Sequence, residues 1–309
     1  MSVTPGLVLQ ILEQVIAPVF IIIATGFLIR RIVSVENRSL SDLILYVLTP
    51  CLVFTSIVQS SLGERTWADI ALITVATAFV MMSVSWSIGR VLRLNQKRLS
   101  AFILTTSLVN TGNVGLSVNL LAFGQAGLEL AVVYFVISSI LSYTLGVFVA
   151  SNGTQSLKES LRSVVRLPHI YAVLAAFAVK LLNVGVPDLI FEPVNLMGQA
   201  AIPVMLVVLG MELAQTALHS NSTNWALVAL SSAIKLLFPI VPVVLLSSLI
   251  GLGGLARNVT LVQACMPTAI LAVIFTVKFK GDSQFVTNVI IVATLVSVAT
   301  LTLLLSFML

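Results

Sequence analysis

The chain reads as an all-α integral membrane protein: ten transmembrane helices in a 5+5 inverted repeat, with helices 4 and 9 broken and crossed at the bilayer midplane. Three observations predict this. Apolar residues make up 59% of the 309 residues and charged residues 9%, at a mean hydropathy of +1.13; a soluble domain carries about 25% charged residues. Ten apolar stretches approach the roughly 20 residues that cross a bilayer. Basic residues collect in alternate connectors between those stretches.

Taken in order, the first span covers about 7–30. No basic n-region or small-residue cleavage site precedes it, so it reads as a true span rather than a signal peptide. The second, about 42–61, is interrupted by Pro50 in Leu48-Thr49-Pro50-Cys51-Leu52. The third covers about 68–90. The fourth, about 99–124, carries Asn110-Thr111-Gly112-Asn113 at its middle, and the fifth covers about 127–151. A polar connector, 152–167, then divides the chain into a first repeat, 1–151, and a second, 168–309. The sixth span, about 168–184, holds Lys180 near its end, where a long side chain snorkels to the interface. The seventh, about 190–215, contains Pro203 at the position that Pro50 occupies in the first half. The eighth, about 224–250, holds Lys235 near its middle. The ninth, about 255–278, is interrupted by Cys265-Met266-Pro267-Thr268, and the tenth covers about 284–308.

Sidedness follows from the basic residues. Arg30, Arg31, Arg38, Arg90, Arg93, Lys97, Arg98, Lys158, Arg162, Arg166, Lys278 and Lys280 fall on one side, and Arg65 and Arg257 on the other. The richer side is cytoplasmic, which puts both termini on the extracytoplasmic side of the cell membrane. Five is odd, so the second half is inverted relative to the first, the plan of many secondary transporters. The formal net charge of +5 is then an orientation signal facing anionic lipid. Without aromatic–basic clusters or a soluble domain, nucleic acid is not an expected partner.

The two central interruptions carry the functional expectation. Free backbone groups at membrane depth survive only inside protein or beside a water-filled cavity. A matched pair of broken spans is a pointer to a transporter's binding site. Asn110 lies about 11 residues into its span and Pro267 about 12 into its own, so at about 1.5 Å per residue both breaks fall near the midplane. Half-helices restarting after Asn113 and after Pro267 would aim their N-termini at one point from opposite sides, which favours an anion such as a carboxylate. Asn110, Thr111 and Asn113 supply amides and a hydroxyl, and Gly112 and Gly115 allow close approach. Pro267 suits a first helical position. Thr268 and Gln263 add polar groups, with Pro50 and Cys51 as accessory candidates. Lys235 has no acidic partner in its span; it either attracts an anion, stands in for a bound cation or ties to a backbone carbonyl. Glu13 and Glu212 lie near enough to span ends to be solvated.

Several functions lack their residues. No Asp or Glu occupies the centre of the third, fourth, fifth, eighth, ninth or tenth span, which disfavours a proton exchanger built on paired membrane carboxylates. His169 and His219 are isolated, so no metal site is expected. Cys51 and Cys265 read as small apolar fillers. There is no GxxxxGK[ST] loop for a nucleotide and no GxSxG elbow for a hydrolase. An enzyme is not expected, and neither is a bound cofactor.

The run Phe102 to Gly124, with its Asn-Thr-Gly core and Phe-Gly end, resembles the fourth-span signature of the auxin efflux carrier family of bacterial and plant transporters. Ala264 to Asp282, with a central Pro and terminal Gly-Asp, resembles the ninth-span signature. The runs 48–54, 209–213 and 288–304 fit the second, seventh and tenth spans, so the resemblance covers nearly the whole chain. It implies a fold similar to bile-acid sodium symporters and sodium–proton antiporters. Scaffold helices within 7–61 and 168–215 would form a homodimer, and transport-domain helices within 68–151 and 224–308 would move. It also implies a carboxylate substrate, with Asn110 and Pro267 as the crossover residues and Lys235 at a position the family often fills with a basic side chain. Ser117 and Val109 depart from the plant pattern, and the plant carriers' long central loop is absent at 152–167, so a bacterial-type member is implied.

The expected function is a secondary transporter that moves a small organic anion by alternating access. Sodium coupling through Asn113, Thr111, Gln263 and freed carbonyls is the alternative, with proton coupling also open; a non-transporting membrane sensor on the same fold is a third reading.

Overall fold

A computed structural model describes residues 4–33, 36–151, 153, 162, 164–215 and 224–309. Among these residues all regular elements are helical. Seven helices are long and apolar enough to cross a membrane: α1 (Pro5–Ile32), α2 (Asn37–Gln59), α3 (Glu64–Val91), α5 (Thr111–Ala150), α7 (Asp188–Gln215), α8 (Trp225–Ile250) and α11 (Ser283–Ser306). Four are shorter: α4 (Gln96–Ser107), α6 (Pro168–Leu181), α9 (Gly254–Ala264) and α10 (Leu271–Lys278). The chain is a multi-pass membrane protein. Most of the connector 152–167 lies outside the described residues.

The expected fourth and ninth spans are each split. Helix α4 stops at Ser107 and the chain resumes helix at Thr111; α9 stops at Ala264 and α10 starts at Leu271. The second half of the fourth span runs into the fifth as α5. The two limbs of α5 meet at Gly124, whose φ of 67° and ψ of −159° are non-helical. A positive φ of this kind favours glycine.

Pro50 and Pro203 do not interrupt their helices. Helix α2 passes Pro50 through a π-helical turn, Ile44–Leu48, in which the Thr49 N–H donates to the Ile44 carbonyl. Pro18 is preceded by a similar turn, Leu12–Ile16. A proline ring clashes with the carbonyl four residues back, and one wider turn relieves this without ending the helix. Pro203 lies inside a continuous α7. These prolines are therefore bends rather than breaks.

Close packing is set by glycines at two helix contacts. A Cβ on Gly26 of α1 would lie 2.0 Å from the Val207 carbonyl of α7, and one on Gly210 of α7 would lie 1.9 Å from the Ile23 carbonyl of α1. The two helices approach to backbone contact through both glycines, as small residues permit in membranes. Gly198 likewise lets α7 meet the α2 backbone at Leu52. Lys180 of α6 donates to the carbonyls of Ser60 and Ile57 at the end of α2.

Three buried clusters join the elements. Leu52, Ile70, Leu128, Val132 and Met205 belong to one; Phe102, Leu104, Phe275 and Val289 to a second; Ile16, Val118, Leu209 and Val262 to a third. Buried hydroxyls add cross-links: Thr105 of α4 pairs with Ser231 of α8 at 2.8 Å, and Thr106 donates to Ser85 of α3 at 2.6 Å. Where α4 begins, Arg98 pairs at 3.0 Å with Asp282, which also caps α11 by accepting from the Phe285 N–H.

Candidate functional site

The two breaks meet. Val109 and Thr268 form an isolated antiparallel bridge. The Asn110 N–H donates to the Pro267 carbonyl at 2.9 Å, and the Ala269 N–H to the Leu108 carbonyl at 3.0 Å. Each break thereby satisfies backbone groups that hydrocarbon could not. Thr268, fully buried, donates its hydroxyl at 2.6 Å to the carbonyl of Thr105 near the end of α4. Lys235 of α8, 1% exposed, donates Nζ at 2.9 Å to the carbonyl of Ala264, the last residue of α9. Both half-helices that run into the site therefore have a C-terminal carbonyl capped by a distant side chain, α4 by Thr268 of the second break and α9 by a cation on α8 that also suits the dipole. The tie to a backbone carbonyl, one of the readings open for Lys235, is made here.

Helix resumes earlier than expected in the first break and later in the second. It resumes at Thr111 rather than after Asn113, in a π-helical turn Thr111–Leu116 where the Gly115 N–H donates to the Asn110 carbonyl at 3.1 Å. Pro267 and Thr268 stay in extended backbone, and α10 starts at Leu271. Pro267 is thus a strand-like residue offering its carbonyl, not a first helical residue. The paired bridge explains the shift, because Asn110, Ala269 and their partners bond across the breaks instead of along a helix.

Asn110, Thr111, Gly112 and Asn113 are brought together at the start of α5. Asn110 is 6% exposed, and its Nδ2 has no hydrogen-bond partner among the described residues. Asn113 is half-buried and its carbonyl accepts from Ser117 Oγ at 2.7 Å. Gln263 of α9 is inserted between the limbs of α5. Its Nε2 donates to the Ala131 carbonyl at 3.2 Å, and its Oε1 has no partner among the described residues. A Cβ on Gly115 would lie 2.1 Å from that Oε1, so only glycine makes room for the glutamine there. The accessory candidates Pro50 and Cys51 lie on α2, where the Cys51 backbone is part of the close contact at Gly198.

One cavity adjoins the break and a second lies further along the first limb of α5. The first is bounded by Ser107 and Val109 at the break, Thr77 of α3, Tyr134 of α5, and Lys235 and Ala264. Among the described residues the hydroxyls of Thr77 and Ser107 have no partner. The other lies between α2, α5 and α7 and is polar without fixed charge, with Gln59, Gln125, Asn195 and Gln199 among its walls. Sequence reasoning passed over Thr77, Tyr134 and the four amides of the second cavity. Ile70, Thr74, Thr77, Met81 and Ser85 lie at helical spacing and form the buried face of α3. Among the described residues no three His, Cys, Asp or Glu side chains gather as metal ligands.

Helical membrane architecture and two mutually bonded breaks with polar side chains define a polytopic protein with a polar interior. The chain belongs to the membrane transport protein family, whose model matches residues 11–160 and 152–305. The auxin efflux carrier resemblance read from the broken spans is to this family. Relatives span nearly its full length. An uncharacterised transporter of Methanocaldococcus jannaschii is 24% identical over 302 residues, 94% of this chain and 96% of the relative. A Rhizobium meliloti protein named "Putative malonate transporter" is 25% identical over 304 residues, 93% and 92% of the two chains. A transporter of Methanothermobacter thermautotrophicus is 23% identical over 296 residues, 94% and 96%.

Proposed function

We propose that this membrane transporter moves a small organic anion by alternating access, with the anion bound where the two breaks meet. The observation that carries the reading is the partnerless, buried Nδ2 of Asn110 beside the first turn of α5, which no side chain caps. An amide donor and the positive end of a helix dipole together suit a carboxylate oxygen. The second helix restart, at Leu271, supports the same polarity from the opposite chain direction. The name of the Rhizobium relative adds support for a carboxylate.

On this reading the helices form ten spans in a 5+5 inverted repeat, α4 with the first limb of α5 making span four and α9 with α10 making span nine. Scaffold helices α1, α2, α6 and α7 pair two copies into a homodimer, and the remainder moves. Both termini face outward across the cell membrane. The glycine contacts between α1 and α7 support a rigid scaffold, and the polar cavity between α2, α7 and α5 supports a path between the two units.

Asn110→Ala tests the site. A charge-assisted hydrogen bond of about 1.5–3 kcal/mol is at stake, so carboxylate binding is expected to fall about ten- to a hundredfold while the purified protein keeps its elution volume. Undiminished binding by the variant would remove the break from the site.

Sodium coupling is a second reading, supported by the partnerless oxygens of Gln263 Oε1 and Asn119 Oδ1. Two neutral oxygens fit part of a sodium shell but supply no charge. Uptake into liposomes that is unchanged when potassium replaces sodium rejects it.

A further inference from the structure

An arginine at the end of α3 lines a groove whose other walls are mostly apolar. The groove, about 270 Å³, lies between the last turns of α3, the first turns of α4 and the end of α5. On α3 it is lined by Trp86 and Arg90, one helical turn apart, with the Arg90 guanidinium carbon 5.9 Å from the indole ring centre. Leu99 and Ile103 of α4 and Phe148 of α5 complete it. Trp86 and Phe148 are exposed and form the rim, whereas Leu99 and Ile103 are buried and form the base. The Ser100 hydroxyl donates at 2.6 Å to the Val149 carbonyl and ties α4 to α5 behind the groove. The groove shares no residue with the two cavities described above.

The charge here is positive and uncompensated. Arg93 and Lys97, both exposed, follow Arg90 in the turn into α4. Among the described residues none of these three makes an ion pair; the salt bridges there are Arg65–Asp69 and Arg98–Asp282. No Asp or Glu occurs between Asp69 and Glu129 in the sequence. The first turn of α4 adds the positive end of a helix dipole. Basic residues that only orient a protein in the membrane need no groove. This groove runs along α4 from Gln96 to Ile103, about 10 Å into the membrane at 1.5 Å per residue, beside a tryptophan of the kind that sits at headgroup level.

We propose that the groove binds one anionic phospholipid from the leaflet on the Lys/Arg-rich side, with its phosphate on Arg90 and an acyl chain along Leu99, Ile103 and Phe148. The guanidinium fork matches phosphate geometry, and basic pockets between membrane helices suit anionic headgroups. A free phosphate would leave the apolar base uncovered. A zwitterionic lipid would bring its own cation towards Arg93 and Lys97. The site does not depend on what the transporter carries.

The test uses the purified full-length protein in a neutral detergent, titrated with phosphatidylglycerol, with phosphatidylcholine of the same acyl chains, or with inorganic phosphate. Tm is read because a ligand that binds only the folded state raises it, and bound lipid is counted by native mass spectrometry. Phosphatidylglycerol is expected to raise Tm and to stay bound as one copy. Phosphatidylcholine should bind about tenfold more weakly, and inorganic phosphate should leave Tm unchanged. Arg90→Gln is expected to weaken phosphatidylglycerol binding about ten- to a hundredfold. Arg65→Gln, the same loss of charge at the other end of α3, should bind like the wild type. Equal binding of the two lipids overturns the headgroup preference. A Tm rise with inorganic phosphate equal to that with phosphatidylglycerol makes this a free-anion site and overturns the lipid. Wild-type affinity in Arg90→Gln removes the lipid from this groove. The comparison of the three probes uses the wild type alone, so it decides the ligand even where Arg90→Gln does not fold.

Discussion

A single glycine controls how closely the broken helices assemble. Gly115 faces Gln263, and a methyl group there would meet Oε1 at 2.1 Å and the Asn110 carbonyl at 3.3 Å. Gly115→Ala therefore forces either the glutamine or the break to move. Overpacking of this kind costs about 1–3 kcal/mol. A lower Tm for Gly115→Ala is expected, with partial recovery in the double variant Gly115→Ala, Gln263→Ala, because the second change removes the obstructing amide. Equal Tm for Gly115→Ala and wild type would show that Gln263 swings away freely. Thr268 poses the complementary case. Its hydroxyl is the donor for the Thr105 carbonyl, and valine keeps the shape while removing the donor. An unsatisfied buried carbonyl costs about 1–3 kcal/mol. Thr268→Val should lower Tm accordingly, whereas Thr268→Ser keeps the donor and should stay near wild type. A Thr268→Val protein as stable as wild type would mean that water or another group replaces the hydroxyl.

At the scale of elements, the sequence was most legible where chemistry forbids a helix in hydrocarbon. Asn110-Thr111-Gly112-Asn113 and Cys265-Met266-Pro267-Thr268 stand out against apolar surroundings, and both fall at or beside helix breaks. The point where each helix resumes was not legible. It depends on hydrogen bonds between segments about 160 residues apart, Asn110 to Pro267 and Ala269 to Leu108, and no local propensity encodes them. Pro50 and Pro203 misled for a related reason. Proline signals a lost N–H, but a wider turn just before it accommodates the ring without ending the helix, as Ile44–Leu48 does before Pro50. Lys235 was legible as an intramembrane charge that could tie to a backbone carbonyl, but not which carbonyl, since its partner Ala264 sits at a helix end created by the second break. The α3 wall of its cavity was hidden because Thr and Ser at helical spacing in a span look like ordinary back-bonded hydroxyls; Thr74 is one, and Thr77 is not.

At the scale of the whole molecule, an inverted repeat makes a demand on topology that packing alone does not. Each connector must lie on a fixed side of the membrane: those after spans two and eight, six crossings apart, outside, and those after spans three and nine inside. Two contacts fit this plan. Lys180 reaches the carbonyls of Ser60 and Ile57, holding the ends of α2 and α6 on one side, and Arg98 pairs with Asp282 on the side where α4 begins and α10 ends. Single cysteines at Ser61, Lys97, Gly253 and Lys278, all exposed, can report sidedness in a Cys51→Ser, Cys265→Ser background. A membrane-impermeant maleimide applied to intact cells should label Ser61→Cys and Gly253→Cys. Lys97→Cys and Lys278→Cys should react only after the membrane is opened, because the side rich in Lys and Arg is retained in the cytoplasm. The pairing of positions matters more than the absolute side. If 61 and 253 label from opposite sides, an odd number of crossings separates them, and the two halves cannot be five-span units of opposite orientation. If they label together but from inside, the repeat survives and only the orientation drawn from the basic residues is reversed.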